Sequence, residues 1–317
     1  MGFRSVDRLF PSGRSMHSTS TSLLKAFLLI LLPFHASAQS AEAYPRSLDE
    51  WHRGRIEELR SENGWLNLAG LFWLKPGKQI FGGSDHDDVA FPEGTIPPHA
   101  GAFLLSGDTV RMTVAQGVEV NMDGVPVHEA VAFHPGMSAA PTFRYGRLAW
   151  TVIHRGERMG IRLRDIDHPA ARDFKGVERY PIDSTWRVKA KMVKPTFPTY
   201  IPITNVLGQT TPQPSPGKLV FELKGVRLTL DALEEGEELF LLFADETNGG
   251  ETYPSGRFLY TGKPGPDGFV ELDFNRSINP PCAFTAFATC PLPPRQNRLP
   301  MSIKAGEKDP GTAKKQH

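Results

Sequence analysis

The chain predicts a mainly β protein: a β-sandwich-like N-terminal half with one capping helix, then a β-rich C-terminal half with a long, proline-rich ordered loop. Three observations carry that prediction. Short runs alternating apolar and polar residues recur along the chain, separated by turn pairs such as Gly107-Asp108, Asp123-Gly124 and Arg155-Gly156. Asp-Gly between two such runs marks a hairpin, because both central residues of its turn need positive φ. The 317 residues include 30 Gly and 28 Pro, which favours many turns and short strands. Only residues 48–59 repeat their apolar positions at helical spacing over any length.

Residues 1–38 read as an export leader. Lys25 precedes the apolar run 26–34, and Ala36-Ser37-Ala38 supplies a small-residue cleavage site. The run is shorter than the roughly 20 residues needed to span a bilayer. The expected location is therefore periplasmic or secreted, with no stable membrane insertion once the leader is removed.

Ser47 to Glu50 form a capping-box pattern, which sets the expected helix start at Ser47. Leu48, Trp51, Ile56 and Leu59 make its apolar stripe, and Asn63-Gly64 supplies a left-handed stop. Strands follow at 109–114, at 118–122 with 125–128, and at 147–154 with 158–163. Residues 194–217, rich in Pro, Thr and Gln, read as a connection. Beyond it come strands at 218–223, 226–230 and 238–243, then a further hairpin of 257–261 with 269–274. The expected units are thus 39–193, the connection 194–217, 218–308, and a disordered tail at 309–317.

With 36 basic against 35 acidic residues and no basic patch, nucleic acid is not an expected partner. Neither a G-x-S-x-G elbow nor H-E-x-x-H occurs, which removes two easily recognised hydrolase classes. The histidines are scattered, and the C-x7-C spacing of Cys282 and Cys290 fits no usual zinc site. No metal is expected and no cofactor is indicated.

The most informative stretch is 273–297, D-F-N-R-S-I-N-P-P-C-A-F-T-A-F-A-T-C-P-L-P-P-R-Q-N. Its five prolines bar a continuous helix or a central strand. Phe274, Phe284, Phe287 and Leu292 call for burial. The result is a stiff, packed loop presenting polar groups at fixed positions. Cys282 and Cys290 can close a disulfide, permitted in an exported protein and stabilising by roughly 2–3 kcal/mol. A reactive thiol is the alternative, and both readings stay open.

Candidate chemistry gathers around this loop. Glu251 and Tyr253 share a strand face that Arg257 can join. The hairpin of 257–261 with 269–274 would bring Asp273 towards Arg257. These four form an expected catalytic set, with Asn275, Asn279, Thr285 and Asn297 as ligand-binding groups. Asp245 and Glu246 read alternatively as an acid pair or as a turn bonding its own backbone. Three function classes follow: a hydrolase-like acid/base enzyme acting on a small polar substrate, a non-catalytic module binding such a ligand, or a purely structural β protein.

The runs G-x-E-T-Y-x-x-G-R-F-L, L-D-F-N-R, N-P-P-C-A-F-T, A-T-C-P-L-P-P and A-G-E-K, with the earlier G-W-L-N-L-A-G-L-F-W-L-K-P-G, closely resemble domain-of-unknown-function family 1684. The resemblance covers roughly residues 51–308 and implies no reaction, substrate or cofactor. This chain departs from the family pattern at Ile278 and at Ala286-Phe287, where tyrosine, or Pro and Tyr, are common. Residues 76–127, with P-G-K-x-I-F-G, S-D-H-D-D-V and P-H-A-G, also resemble a forkhead-associated sandwich. The arginine and serine that would hold phosphothreonine are missing, so that resemblance implies architecture only.

Overall fold

A computed structural model describes residues 35–311. Residues 1–34 of the expected leader and 312–317 of the expected tail lie outside the described residues. The protein is mainly β, with one long helix at the N-terminal end and several antiparallel sheets.

Helix α1 (His35–Arg60) continues N-terminally past the expected cap, through Pro45. Ser47 lies inside it, its hydroxyl donating to the Tyr44 carbonyl at 2.7 Å. The predicted stripe holds: Leu48 and Leu59 are fully buried. Gly64 closes the turn beyond α1 with φ −66°, so the expected left-handed stop does not occur. The glycine is needed for space instead, since a Cβ there would lie 2.2 Å from the Leu59 carbonyl oxygen.

The first unit comprises β1 (Leu68–Trp73), β2 (Gly77–Gly82), β3 (Val89–Ala90), β4 (Gly101–Ser106), β5 (Thr109–Val114), β6 (Val120–Met122), β7 (Val125–Val127), β8 (Glu129–Phe133), β9 (Phe143–Tyr145), β10 (Leu148–Arg155) and β11 (Arg158–Asp165). They form two sheets, ordered β1-β11-β10-β9-β6-β7 and β3-β2-β4-β5-β8. The inner faces share one core, in which Trp150 packs against Phe81, Phe91 and Phe143. Fully burying a side chain such as Phe81 contributes roughly 1.5–3 kcal/mol.

Alternation along β11 decides what its other face carries. Met159, Ile161 and Leu163 enter the core. Arg158, Arg162 and Arg164 therefore project from the outer face, by the two-residue period of a strand.

The second unit comprises β12 (Arg187–Val193), β13 (Thr199–Thr204), β14 (Thr210–Ser215), β15 (Gly217–Leu223), β16 (Val226–Glu235), β17 (Glu238–Phe243), β18 (Arg257–Gly262) and β19 (Phe269–Asp273). Its main sheet runs β18-β17-β16-β15-β12-β19. Three expectations change here. Because β12 pairs with β15 and β19, the second unit begins before residue 193. The segment 194–217 is no plain connection but a β13–β14 ribbon. Strands β18 and β19 do not form a hairpin: they occupy opposite ends of the sheet, which curls until the Thr261 hydroxyl reaches the Glu271 carbonyl at 2.6 Å.

The ribbon accommodates its prolines by parity. Pro202 faces Pro212, and Pro214 faces Tyr200. These can only be the non-hydrogen-bonded pairs of an antiparallel ladder, so the missing amides fall on the outer edges. Ile201 and Ile203 turn into the core of the second unit, while Tyr200 stays exposed.

Candidate functional site

The loop after β19 is held by side chains bonded to backbone. Asn275 accepts from the Asp183 amide at 3.2 Å and donates to the Asp183 carbonyl at 2.9 Å. The Asn279 side chain donates to the Lys308 carbonyl at 2.7 Å, and its amide donates to Glu307 Oε2 at 2.7 Å. Asn297 binds the amide and carbonyl of Asp231 and the Leu242 carbonyl. Thr285 Oγ1 accepts from the Phe287 amide at 3.2 Å. All four expected ligand-binding residues are buried, with these groups engaged inside the protein.

The expected catalytic set is not gathered around one cavity. Arg257 is fully buried, pairing with Asp245 at 2.7 Å and donating to the carbonyls of Ile303 and Ala305. Asp245 in turn accepts from the amide and hydroxyl of Thr247 and the Ile303 amide. The turn therefore bonds its own backbone, the second of the two readings for Asp245. Glu251 lies on the surface beside Lys304, at 2.8 Å. Asp273 receives the Tyr44 hydroxyl at 2.9 Å and the Asn275 amide at 3.1 Å, pinning α1 to the second unit, far from the hairpin contact expected with Arg257. Two surface crevices measure about 290 and 430 Å³, the second lined by Tyr180, Trp186, Lys224 and Lys304. None of the eight expected residues lines either one.

Tyr253 leads elsewhere. Its hydroxyl donates to the Cys282 carbonyl at 3.1 Å, and burial beside the two cysteines pushes it up to about 12. Cys282 and Cys290 stand side by side as free thiols. The Cys282 amide donates to Cys290 Sγ at 3.0 Å, while the Cys282 thiol faces the Ala288 carbonyl at 3.6 Å. A hydrogen bond from the Cys290 thiol lowers the Cys282 pKa, and nearby Arg162 adds to the effect. Burial and the bond to Cys282 push the Cys290 thiol far up. Cys282 is the more accessible of the two sulfurs.

Arg162 is the unusual neighbour. Its side chain is 8% exposed, its Nε meets no acceptor, and among the described residues it forms neither ion pair nor hydrogen bond. Its close companion is the Trp65 ring, 5.6 Å away. Burial, then the charges of Arg155 and Arg164, lower it to about 10, so the guanidinium stays protonated at neutral pH. Arg155 donates to Thr289 Oγ1 at 3.3 Å, next to Cys290, and Arg164 donates to the Gly64 carbonyl at 2.5 Å. Arg155 and Arg162 thus meet the cysteine loop, with Arg164 beside Arg162. None of these arginines is among the site residues expected from the sequence. The signal was present as arginines at 158, 162 and 164 interleaved with Met159, Ile161 and Leu163, an apolar-in, cationic-out strand.

Among the described residues, no group of three or more His, Cys, Asp or Glu side chains could hold a metal ion. Nor does any described helix have the length and apolarity to cross a membrane.

No curated protein matches the chain. Among solved structures, an uncharacterized protein of Haloarcula marismortui is 31% identical, covering 44% of this chain and 80% of its own, at TM-score 0.37. The FHA-2 domain of a Mycobacterium tuberculosis ABC transporter is 17% identical over 28% of this chain and 77% of its own, at TM-score 0.22. An FHA domain described for phosphothreonine-dependent interactions is 13% identical over 30% of this chain and 92% of its own, at TM-score 0.21. Residues 172–308, which hold both cysteines but not the arginine row, match the family described as Protein of unknown function (DUF1684), and the chain belongs to that family.

Proposed function

We propose that this is an exported protein that binds a small polar anion between its two β units, where the outer face of β11 meets the Cys282–Cys290 loop. Arg162 carries the reading: a buried arginine whose Nε meets no acceptor and whose side chain has no ion-pair or hydrogen-bond partner among the described residues. Desolvating an unpaired ion costs several kcal/mol. An anion accepting from Arg162, with Arg155 and Arg164 beside it, would offset that cost through charge-assisted bonds. Non-catalytic binding is preferred to acid/base hydrolysis because Glu251, Tyr253, Arg257 and Asp273 face different surroundings. Export rests on the leader pattern of Lys25, the apolar run 26–34 and Ala36-Ser37-Ala38.

Thermal melting of the mature protein in phosphate, sulfate and succinate, against chloride at matched ionic strength, tests the binding. Saturation a hundredfold above Kd stabilises by about 2.7 kcal/mol, so at least one of these anions should raise Tm for the wild type and not for Arg162→Gln. Equal behaviour of the two proteins in every anion would remove the proposal. For export, the protein recovered outside the cytoplasm should begin at Gln39.

A further inference from the structure

We propose that Cys282 and Cys290 form a redox-active dithiol that reduces low-molecular-mass disulfides bearing carboxylates, with Cys282 as the attacking sulfur and Cys290 as the resolving one. This goes beyond anion binding: it rests on the two thiols, and it shares only the arginine row with that reading.

The geometry supplies each element of the chemistry. Pro281 precedes Cys282 and Pro291 follows Cys290, so the backbone on either side is stiffened. The amide of Cys282 holds Cys290 Sγ at 3.0 Å, keeping the two residues together before any reaction. Tyr253 anchors the Cys282 carbonyl from the opposite side. Cys290 is 4% exposed and Cys282 only partly buried, so an incoming reagent meets Cys282 first. Arg162 lies close enough to favour a negative sulfur at either cysteine, and Cys282 is the one a reagent can reach. Reactive cysteines occupy such electropositive, partly accessible surroundings, whereas inert structural thiols are buried in apolar ones.

The exchange balances as two sulfur displacements. The Cys282 thiolate attacks one sulfur of the small disulfide R–S–S–R. A Cys282–S–S–R bond forms, the R–S–S–R bond breaks, and one R–S⁻ leaves. Cys290 then loses its proton to water and attacks Cys282 Sγ. The Cys282–Cys290 bond forms and the second R–S⁻ leaves. Two electrons pass from the protein to the reagent, and each departing thiolate takes up a proton. A carboxylate on R gives Arg155, Arg162 and Arg164 a charge to hold during the first displacement.

Oxidised glutathione is the probe, used on the mature protein and followed by mass spectrometry and thiol counting. The wild type should lose both thiols and release two glutathione thiols for each disulfide consumed. Cys290→Ser should stop as a mixed disulfide at Cys282, and Cys282→Ser should leave Cys290 unmodified. A second measurement needs no cysteine variant. Alkylation of Cys282 at neutral pH should outpace that of Cys290 by roughly tenfold or more, with a midpoint below that of an ordinary thiol. Arg162→Gln should move that midpoint upward. Equal alkylation of both cysteines, modification confined to Cys290, or a Cys282–Cys290 bond that resists excess reduced glutathione would each overturn the proposal. The last result would mark a permanent structural bridge. Loss of exchange with anion stabilisation intact would remove this inference alone, and the reverse pattern would remove only the binding reading.

Discussion

Arg257 and Arg162 are both buried arginines, and opposite consequences follow from their partners. Arg257 bonds Asp245 and the carbonyls that lead the chain towards its C-terminal end. Arg257→Ala would leave Asp245 charged and unpaired, so chemical denaturation should show a loss of about 3–5 kcal/mol. Glu251→Gln, at the surface, should leave the denaturation midpoint within error. Among the described residues, Arg162 has no acid to abandon. Arg162→Gln should therefore raise stability by on the order of 1 kcal/mol in buffer without a binding anion. Asp87 adds a pH dependence. Burial opposes its ionisation, but the amides of His99 and Ser84 and the His99 ring outweigh burial and hold the carboxyl below its usual 3.8. A depressed carboxyl contributes stability above its unfolded pKa and loses it as pH falls through the folded value. The wild type should thus lose this contribution below about pH 3.8, and Asp87→Asn should flatten that part of the acid unfolding curve. The same carboxylate receives the amide of His99, which sits at φ 51°.

At the scale of elements, the proline-rich loop is a stapled structure, and its asparagines are the staples. Asn297→Ala would strand the Asp231 amide and the Leu242 carbonyl, so urea denaturation should register a loss of roughly 2–3 kcal/mol. Order in this loop was legible in the sequence, because Phe274 and Phe284 demand burial while the prolines forbid regular structure. The direction of its polar groups was not, since an asparagine that binds ligand and one that binds backbone read alike. The local hairpins were legible too: β6 with β7 and β10 with β11 follow from their turns. The β18–β19 pairing failed for a physical reason. Residues 263–268 can turn the chain back, but pairing with β17 and β12 carries the two strands to opposite ends of a curled sheet. Long-range closure of that kind leaves no local trace. The Ser47 box also misled, because a capping pattern is favourable at a helix start but does not forbid helix before it.

At the scale of the molecule, α1 ties the two ends of the second unit together. Tyr44 reaches Asp273, and Arg55 lies 3.5 Å from the buried Glu307 while donating to the Asn279 carbonyl. Arg55→Ala should lower the global unfolding midpoint by the equivalent of about 3–5 kcal/mol, read in one cooperative transition by both tryptophan fluorescence and circular dichroism. A first transition confined to the helix would contradict this. The mainly β class could be read from turn spacing, but a helix serving the distant half could not. The ribbon of β13 and β14 has a further consequence for how copies of the chain meet one another. Its rims lack donors at Pro202, Pro212 and Pro214, so a neighbouring molecule seeking to extend the ladder would find three of the six outward amides missing. Crowded together, such proteins have poor footholds for fibril growth.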